Sequence, residues 1–313
     1  MPGDGRSHER RATVKSPRIA AASAARYAGP MSSQHPALTP GRAAVVTGAA
    51  SGIGLAAARR FATMGMRVCL ADLDGEPLRR AAADVAQHAS AGADAVLAVG
   101  TDVSRVEDLE RLQALVMREL GDVALLMNNA GIGAGGGPLE HPERWRRLLD
   151  VNLWGVIHGC QTFVPTMIAE GRPACVVNTG SKQGITTPPG NTAYNVAKAG
   201  VKVYTEGLAH DLRNRPGCQV TAHLLIPGFT HTGMTGGSSE KPPGAWTPDQ
   251  VVDFFLARLA AGDFYILCPD DDVTREMDVR RMQWAIGDII ENRPALSRWH
   301  PDFAEAFARF MGS

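Results

Sequence analysis

The sequence predicts an α/β fold, with one doubly wound, seven-stranded parallel sheet covered by helices on both faces. Three observations carry this. Short apolar runs alternate with helix-length stretches from residue 43 to residue 270. The runs are almost continuously apolar, as strands covered on both sides must be. A glycine-rich turn, TGAASGIG (47–54), joins the first run to the first helical stretch.

The elements follow in order. AAVVT (43–47) is the first strand, and LAAARRFATMG after the glycine turn reads as a helix. RVCLAD (67–72) is the second strand, followed by a helix over roughly 76–90. DAVLAVGTDV (94–103) is the third. RVEDLERLQALVMREL (105–120) places apolar residues near i, i+3, i+4 and i+7, the pattern of an amphipathic helix. VALLMNNAG (123–131) is the fourth strand, and one long helix is expected over about 142–169. ACVVNTGS (174–181), QVTAHLLIPG (219–228) and DFYILCPD (263–270) complete the strands, with a helix over 192–214 after the fifth. Each parallel crossover needs a helix to cover one side of the sheet. Residues 229–246, rich in Gly, Ser, Thr and Pro, are expected to form a mobile loop.

Three segments result: an extension over 1–40, a catalytic domain over 41–270 and a C-terminal helical tail over 271–313. The first is basic, rich in Ala and Ser and poor in large apolar residues, so disorder is expected there. It lacks the apolar core of a secretory signal. A transit peptide shares its composition, but the simplest reading starts the protein at Met31. The tail has one helix-like stretch, a break near Pro294 and a second short amphipathic stretch.

The 313 residues are 44% hydrophobic and 20% charged, with zero net charge, an ordinary soluble composition. Balanced charge gives no pull toward nucleic acid or an anionic membrane. No apolar run is long enough to span a bilayer. Five scattered cysteines read as free buried thiols in a reducing compartment, so a cytoplasmic location is expected. Neither these nor the nine histidines show metal-ligand spacing, so no metal is expected.

Gly48, Gly52 and Gly54 let the backbone turn tightly and approach a pyrophosphate, while Ser51 and Ile53 open the next helix with its free N–H groups. A lone glycine triplet is weak evidence, but its place between first strand and helix points to a dinucleotide. Asp72 closes the second strand, where a carboxylate can bind adenosine ribose hydroxyls and repel a 2′-phosphate. Neither Ser51 nor Leu73 is basic. NAD is therefore expected over NADP.

Tyr194 and Lys198 stand four residues apart, alone no more than a helix pair of a common kind. Together with TGAASGIG, Asp72, DV (102–103), NNAG (128–131), VNLWG (151–155), Ser181 in NTGSKQG, YNVAK (194–198) and PGFTHT (227–232), they form an ordered set. In that order and spacing the chain resembles the short-chain dehydrogenase/reductase family, in its compact single-domain branch with a Rossmann-like fold. The resemblance covers residues 43–270, and the tail beyond has no counterpart in minimal members.

The resemblance implies a catalytic role for Asn152, Ser181, Tyr194 and Lys198. Tyr194 would be the general acid/base; its ordinary pKa of about 10 is too high, and a neighbouring Lys198 would lower it. Lys198 would also hold the cofactor ribose. Ser181 would orient the substrate oxygen, and Asn152 would hold a water in a proton relay. Asp102 and Val103 would flank the adenine. Asn129, Ala130 and Gly131 would pack on the ribose. Pro227 and Gly228 end the sixth strand, with Thr230 or Thr232 at the nicotinamide carboxamide.

The substrate pocket is expected from Gln183, Phe229, His231 and Met234, with Lys182 able to meet an anion. Its neutral, partly apolar character suggests a secondary alcohol or the matching ketone, medium-sized or bulky. Trp154, Ile157 and Val164 read as outer helix positions, and a homodimer or homotetramer is expected. The alternative is a non-catalytic NAD(H)-binding scaffold or redox sensor, which would typically lack Tyr194 or Lys198. A sugar epimerase or dehydratase would need wider glycine spacing and a substantial C-terminal domain.

Overall fold

The computed structural model describes residues 34–133, 135–235 and 240–312. Seven parallel strands form one sheet: β1 Ala43–Thr47, β2 Arg67–Asp72, β3 Val96–Gly100, β4 Val123–Asn128, β5 Ala174–Thr179, β6 Val220–Ile226 and β7 Tyr265–Leu267. Their spatial order is β3-β2-β1-β4-β5-β6-β7. The chain winds outward from β1 to β3, then crosses back to lay β4 against the other side of β1. At such a reversal the connecting helices diverge to opposite faces and leave a crevice beyond the strands' carboxyl ends.

Alternate strand residues serve the two faces. Ala44, Val46, Val68, Leu70 and Met127 pack under α1 (Gly52–Thr63), α2 (Glu76–His88) and the later helix Pro248–Ala260, among Phe61, Leu78 and Phe255. Ala43, Val45, Cys69, Leu126 and Val176 face α3 (Val106–Glu119) and the helices Gly155–Ala169 and Thr192–Asn214, among Leu112, Phe163 and Val201.

Several expectations change. The stretch read as one helix over 142–169 is α4 (Pro142–Leu149), a π-helical turn (Asp150–Trp154) and α5 (Gly155–Ala169). Val164 is 5% exposed and belongs to the core, whereas Trp154 is 47% exposed. The third strand is shorter than read, because Ala93–Ala95 form a 3-10 turn ahead of it. A short helix, α6 (Gln183–Thr186), precedes α7 (Thr192–Asn214). Helix α8 (Pro248–Ala260), absent from the reading, starts at a capping box in which Thr247 and Gln250 satisfy each other's backbone N–H groups. The stretch expected to be mobile is latched at its base. Thr230 bridges to Trp246, Trp246 N–H donates to Phe229 O at 2.9 Å, and His231 N–H donates to Trp246 O at 2.8 Å.

The tail folds on its own centre. Helix α9 (Arg275–Ile290) carries Trp284, 6% exposed, whose indole N–H donates to Ser297 Oγ at 2.8 Å. Phe307 and Phe310 of α10 (Ala304–Gly312) pack on that ring, and the Arg293 guanidinium stacks 4.1 Å from its centroid. Trp299, 39% exposed, carries only the Arg298 guanidinium at 4.7 Å.

The expectation of a disordered segment over 1–40 needs correction at its end; residues 1–33 lie outside the described residues. Ala37 and Leu38 are 0% and 3% exposed and join the core beside α1. Gly41 N–H donates to Gly65 O at 2.8 Å and locks this segment to the β1 side. The ordered unit therefore begins before residue 41, because two apolar side chains suffice to anchor a short polar segment. Leu38→Ala is expected to lower the unfolding free energy by about 2–4 kcal/mol. Urea melts measure this; a loss below about 0.5 kcal/mol, the range of an indifferent surface change, would place Leu38 outside the cooperative unit.

Candidate active site

The carboxyl ends of β1, β4, β5 and β6 surround a cleft of about 760 Å³. Its floor is set by Thr47, whose hydroxyl accepts the N–H groups of Asn129 (3.0 Å) and Ala130 (3.1 Å). The Asn129 amide donates to Thr47 O at 3.2 Å and accepts from the Thr179 hydroxyl at 3.4 Å. Asn128, Asn178 and Thr205 form a buried chain behind it, at 2.9 and 3.0 Å. Polar groups at three neighbouring strand ends are thus satisfied within the protein, which keeps the floor rigid.

At one end of the cleft the glycine turn shows why those residues are glycines. Gly48 and Gly52 take left-handed backbones, φ +66° and +55°. A Cβ on Gly48 would stand 2.7 Å from Ala130 Cα, and one on Gly54 would collide with the Gly48 carbonyl. A Cβ on Gly52 would stand 3.1 Å from the Thr232 methyl across the cleft. Asp72 lines the flank, its carboxylate fixed by N–H donation from Ala50 (2.9 Å) and Leu73 (2.8 Å). Asp102 and Val103 line the next stretch. One Asp102 oxygen is taken by the Ser104 hydroxyl at 2.6 Å, and the Val103 side chain is buried against Gly155.

At the other end stand Ser181, Tyr194 and Lys198. Helix α7 begins at Asn191, whose side-chain oxygen caps the Tyr194 N–H at 3.4 Å and whose amide donates to Gly133 O at 2.7 Å. Asn191 thereby holds the loop after β4 against the helix that carries Tyr194, and the sequence reading did not single it out. The Ser181 hydroxyl accepts the Gln183 N–H at 3.2 Å. Lys198 is 4% exposed and donates from Nζ to Thr179 O at 2.8 Å. Burial pulls its pKa down to about 8. A Cβ on Gly184 would stand 2.5 Å from the Lys198 carbonyl carbon, so α6 packs directly on α7 there.

The expected acidification of Tyr194 is not a property of the protein alone. Lys198 Nζ lies 5.7 Å from the Tyr194 ring centroid, committed to a carbonyl. Burial raises the phenol's pKa, and the Ser181 side chain pulls against it. Asn152 also departs from expectation. It is fully buried within the π-helical turn and outside the cleft wall. Its carboxamide pairs with the Ile132 backbone, accepting the N–H and donating to the carbonyl, both at 2.8 Å.

Of the remaining residues, Asn129, Ala130, Gly131, Pro227, Gly228, Thr230 and Thr232 all line the cleft with Ser51 and Ile53. Thr230 is 4% exposed and donates to Gly228 O at 3.2 Å, while Thr232 stands over Gly52. Of the four pocket residues, only Met234 reaches the wall, lying over Gly131 and Gly133. Gln183, Phe229 and His231 do not line it. The Phe229–Trp246 latch fixes the backbone at two of those positions. Lys182 is not available to a substrate anion, being paired with Asp270 and Asp278. Charged residues missed by the reading line the wall, Glu143, Arg146 and Arg147 from α4 and Asp150 from the π-helical turn, two of each sign. Among the described residues no metal-ligand group assembles, and no helix is long and apolar enough to cross a membrane.

Known proteins share this arrangement. Residues 42–243 match the short chain dehydrogenase family. The 1-deoxy-11-beta-hydroxypentalenate dehydrogenase of Streptomyces exfoliatus is 38% identical over 245 residues, covering 76% of this chain and 86% of that protein. A short chain dehydrogenase/reductase from Burkholderia phymatum, solved with NAD, superposes with a TM-score of 0.73 at 32% identity, over 81% of this chain and 96% of its own. A metagenomic short-chain oxidoreductase, solved with NADP, superposes at 0.61 and 29% identity, over 74% and 98%. With a family match across most of the sheet and its cleft, the chain belongs to the short-chain dehydrogenase family of oxidoreductases.

Proposed function

We propose that the chain is an NAD-dependent dehydrogenase that interconverts a neutral secondary alcohol and its ketone. One observation carries this: Ser181, Tyr194 and Lys198 line one end of a cleft whose far end is the Gly48–Gly52 turn. The left-handed glycines, a bare backbone at the helix start and the fixed Asp72 carboxylate fit a dinucleotide lying along the cleft. Gly48, Ser51, Gly52 and Ile53 would hold its pyrophosphate, and Asp72 its adenosine ribose. Asp102 and Val103 would flank the adenine. Lys198 would hold the second ribose, and Thr230 and Thr232 the carboxamide. Bound there, the dinucleotide supplies or accepts the hydride.

The protein's own part is proton transfer and orientation. Ser181 and Tyr194 offer two hydroxyls to one substrate oxygen, Ser181 to hold it and Tyr194 to move the proton. Lys198 places a cation behind the phenol, which favours the phenolate as the proton leaves. Asn152 positions the Ile132 segment of the wall. Lys182 is neutralised within the protein, and Glu143, Arg146, Arg147 and Asp150 on the cleft wall balance in charge, which supports a neutral substrate. The Streptomyces relative acts on a hydroxyl-bearing compound, a hydroxypentalenate, which supports an alcohol. Exposed Trp154 and Val203, 47% and 64%, support assembly as a homo-oligomer.

Tyr194→Phe is expected to reduce turnover of secondary alcohols by about 10³-fold, with NADH binding by fluorescence within about twofold of wild type. Substantial residual turnover would remove Tyr194 from the acid/base role. Asp72→Ala combined with Leu73→Arg is expected to move the kcat/KM ratio toward NADP. An unchanged ratio would overturn the ribose assignment. Lys198 holds its proton more weakly folded than unfolded, about 8 against 10.5, so folding stability rises with pH across that window. At pH 7 the cost of the buried charge is fully present. Lys198→Met is therefore expected to melt higher than wild type at pH 7, the gap closing toward pH 10.5, while turnover falls about 100-fold. A lower Tm at pH 7 would show that the bond to Thr179 outweighs the buried charge.

A further inference from the structure

Lys182 follows Ser181 directly, yet its ammonium is committed away from the cleft. Nζ lies 3.2 Å from Asp270 Oδ2 and 2.8 Å from Asp278 Oδ2. The three side chains are 17%, 4% and 7% exposed. They come from three places: the turn after β5, the segment after β7, and α9 in the C-terminal tail. Asp270 Oδ2 also accepts the Phe229 N–H at 3.1 Å. A Cβ on Gly228 would stand 3.0 Å from Lys182 Nζ, so the turn after β6 is wedged on the same cluster. Lys182 also starts α6, its carbonyl accepting the N–H groups of Ile185 and Thr186 at 3.0 and 3.1 Å. That helix bears on Lys198 through Gly184.

The cluster is a poor source of stability. Burial raises the Asp278 carboxyl above its ordinary range, against the pull of Lys182 and Arg281. An acid whose folded pKa is raised costs stability wherever it is ionised. Asp270 Oδ1 is buried without a hydrogen-bond partner. A buried ion pair of this kind fixes geometry more than it stabilises.

We propose that Lys182, Asp270 and Asp278 are positioning residues through which tail helix α9 sets the Ser181 turn and the Pro227–Thr232 turn against the cleft. The tail is then part of the catalytic apparatus, although none of its described residues lines the cleft. The turnover readout rests on the proposed dehydrogenase activity, and the exchange readout does not.

The test is Asp278→Asn in the full chain with NADH bound, followed by amide hydrogen exchange. Exchange is expected to rise about tenfold in residues 181–187 and 227–232, with the central strands unchanged and Tm not lowered. Oxidation of cyclohexanol and meso-2,3-butanediol is expected to lose about tenfold in kcat, with KM for NAD within about twofold. Lys182→Met should loosen the same two segments, and Lys182→Arg, which keeps a cation between both carboxylates, should restore them. Unchanged exchange in both segments would overturn the proposal. So would a rise across the whole sheet with a lower Tm, which would make Asp278 a stability residue only. A wild-type chain inactive on both alcohols would count against the dehydrogenase reading, and the exchange result would still decide this one.

Discussion

The active end of this molecule is organised around one buried ammonium. Lys198 gives up nearly all of its water for a single carbonyl, that of Thr179 at the end of β5. Such burial is unfavourable by several kcal/mol in proteins, and the lowered pKa records it. The surrounding elements make it unavoidable. Helix α7 is capped by Asn191, which fixes its first turn, and Gly184 lets α6 close over the backbone of Lys198 itself. Tyr194 lies one turn earlier on the same side of α7, so whatever orders Lys198 also orders the phenol.

Much of this was legible in the chain. The limits of β1, β2 and α7 coincide with the runs read from 43–47, 67–72 and 192–214, because glycine, charged residues and a capping asparagine punctuate them. The glycine turn, Asp72, Ser181, Tyr194 and Lys198 meet in one cleft, since a parallel sheet delivers all its strand ends to one side. Other features were hidden for identifiable reasons. The π-helical turn falls at Asn152, a poor residue for a helix interior, but the pattern is helical on both sides and does not mark the turn's limits. The partners of Lys182 lie 88 and more residues away, beyond any local pattern. The latch from Thr230 to Trp246 joins the two ends of a loop whose composition suggests only disorder. The signal for α8 was present in Thr247 and Gln250, but the Pro-rich approach obscured it.

The cleft also shows how carboxamides and hydroxyls divide labour with charge. Thr47, Asn128, Asn129, Asn152, Asn178 and Asn191 are spent on backbone or on one another, and they hold still the surfaces a ligand would touch. Two other charges are balanced locally: Lys182 by two aspartates, and Arg42 by Asp122 at the opposite end of β1. Met234, carried by the latched loop, lies over Gly131 and Gly133 at the cleft wall.

The strand order has a consequence for how the chain is made. β1 pairs with β2 early, but its other edge is completed only by β4, 80 residues later, as Ala43 meets Val123. At a synthesis rate of about 5–20 residues per second, that edge waits about 4–16 s for its partner. Through that interval the N–H and C=O groups along one edge of Ala43–Thr47 are open to pairing with another strand. The reversal that creates the crevice in the finished molecule therefore also leaves its first strand with an open edge during synthesis.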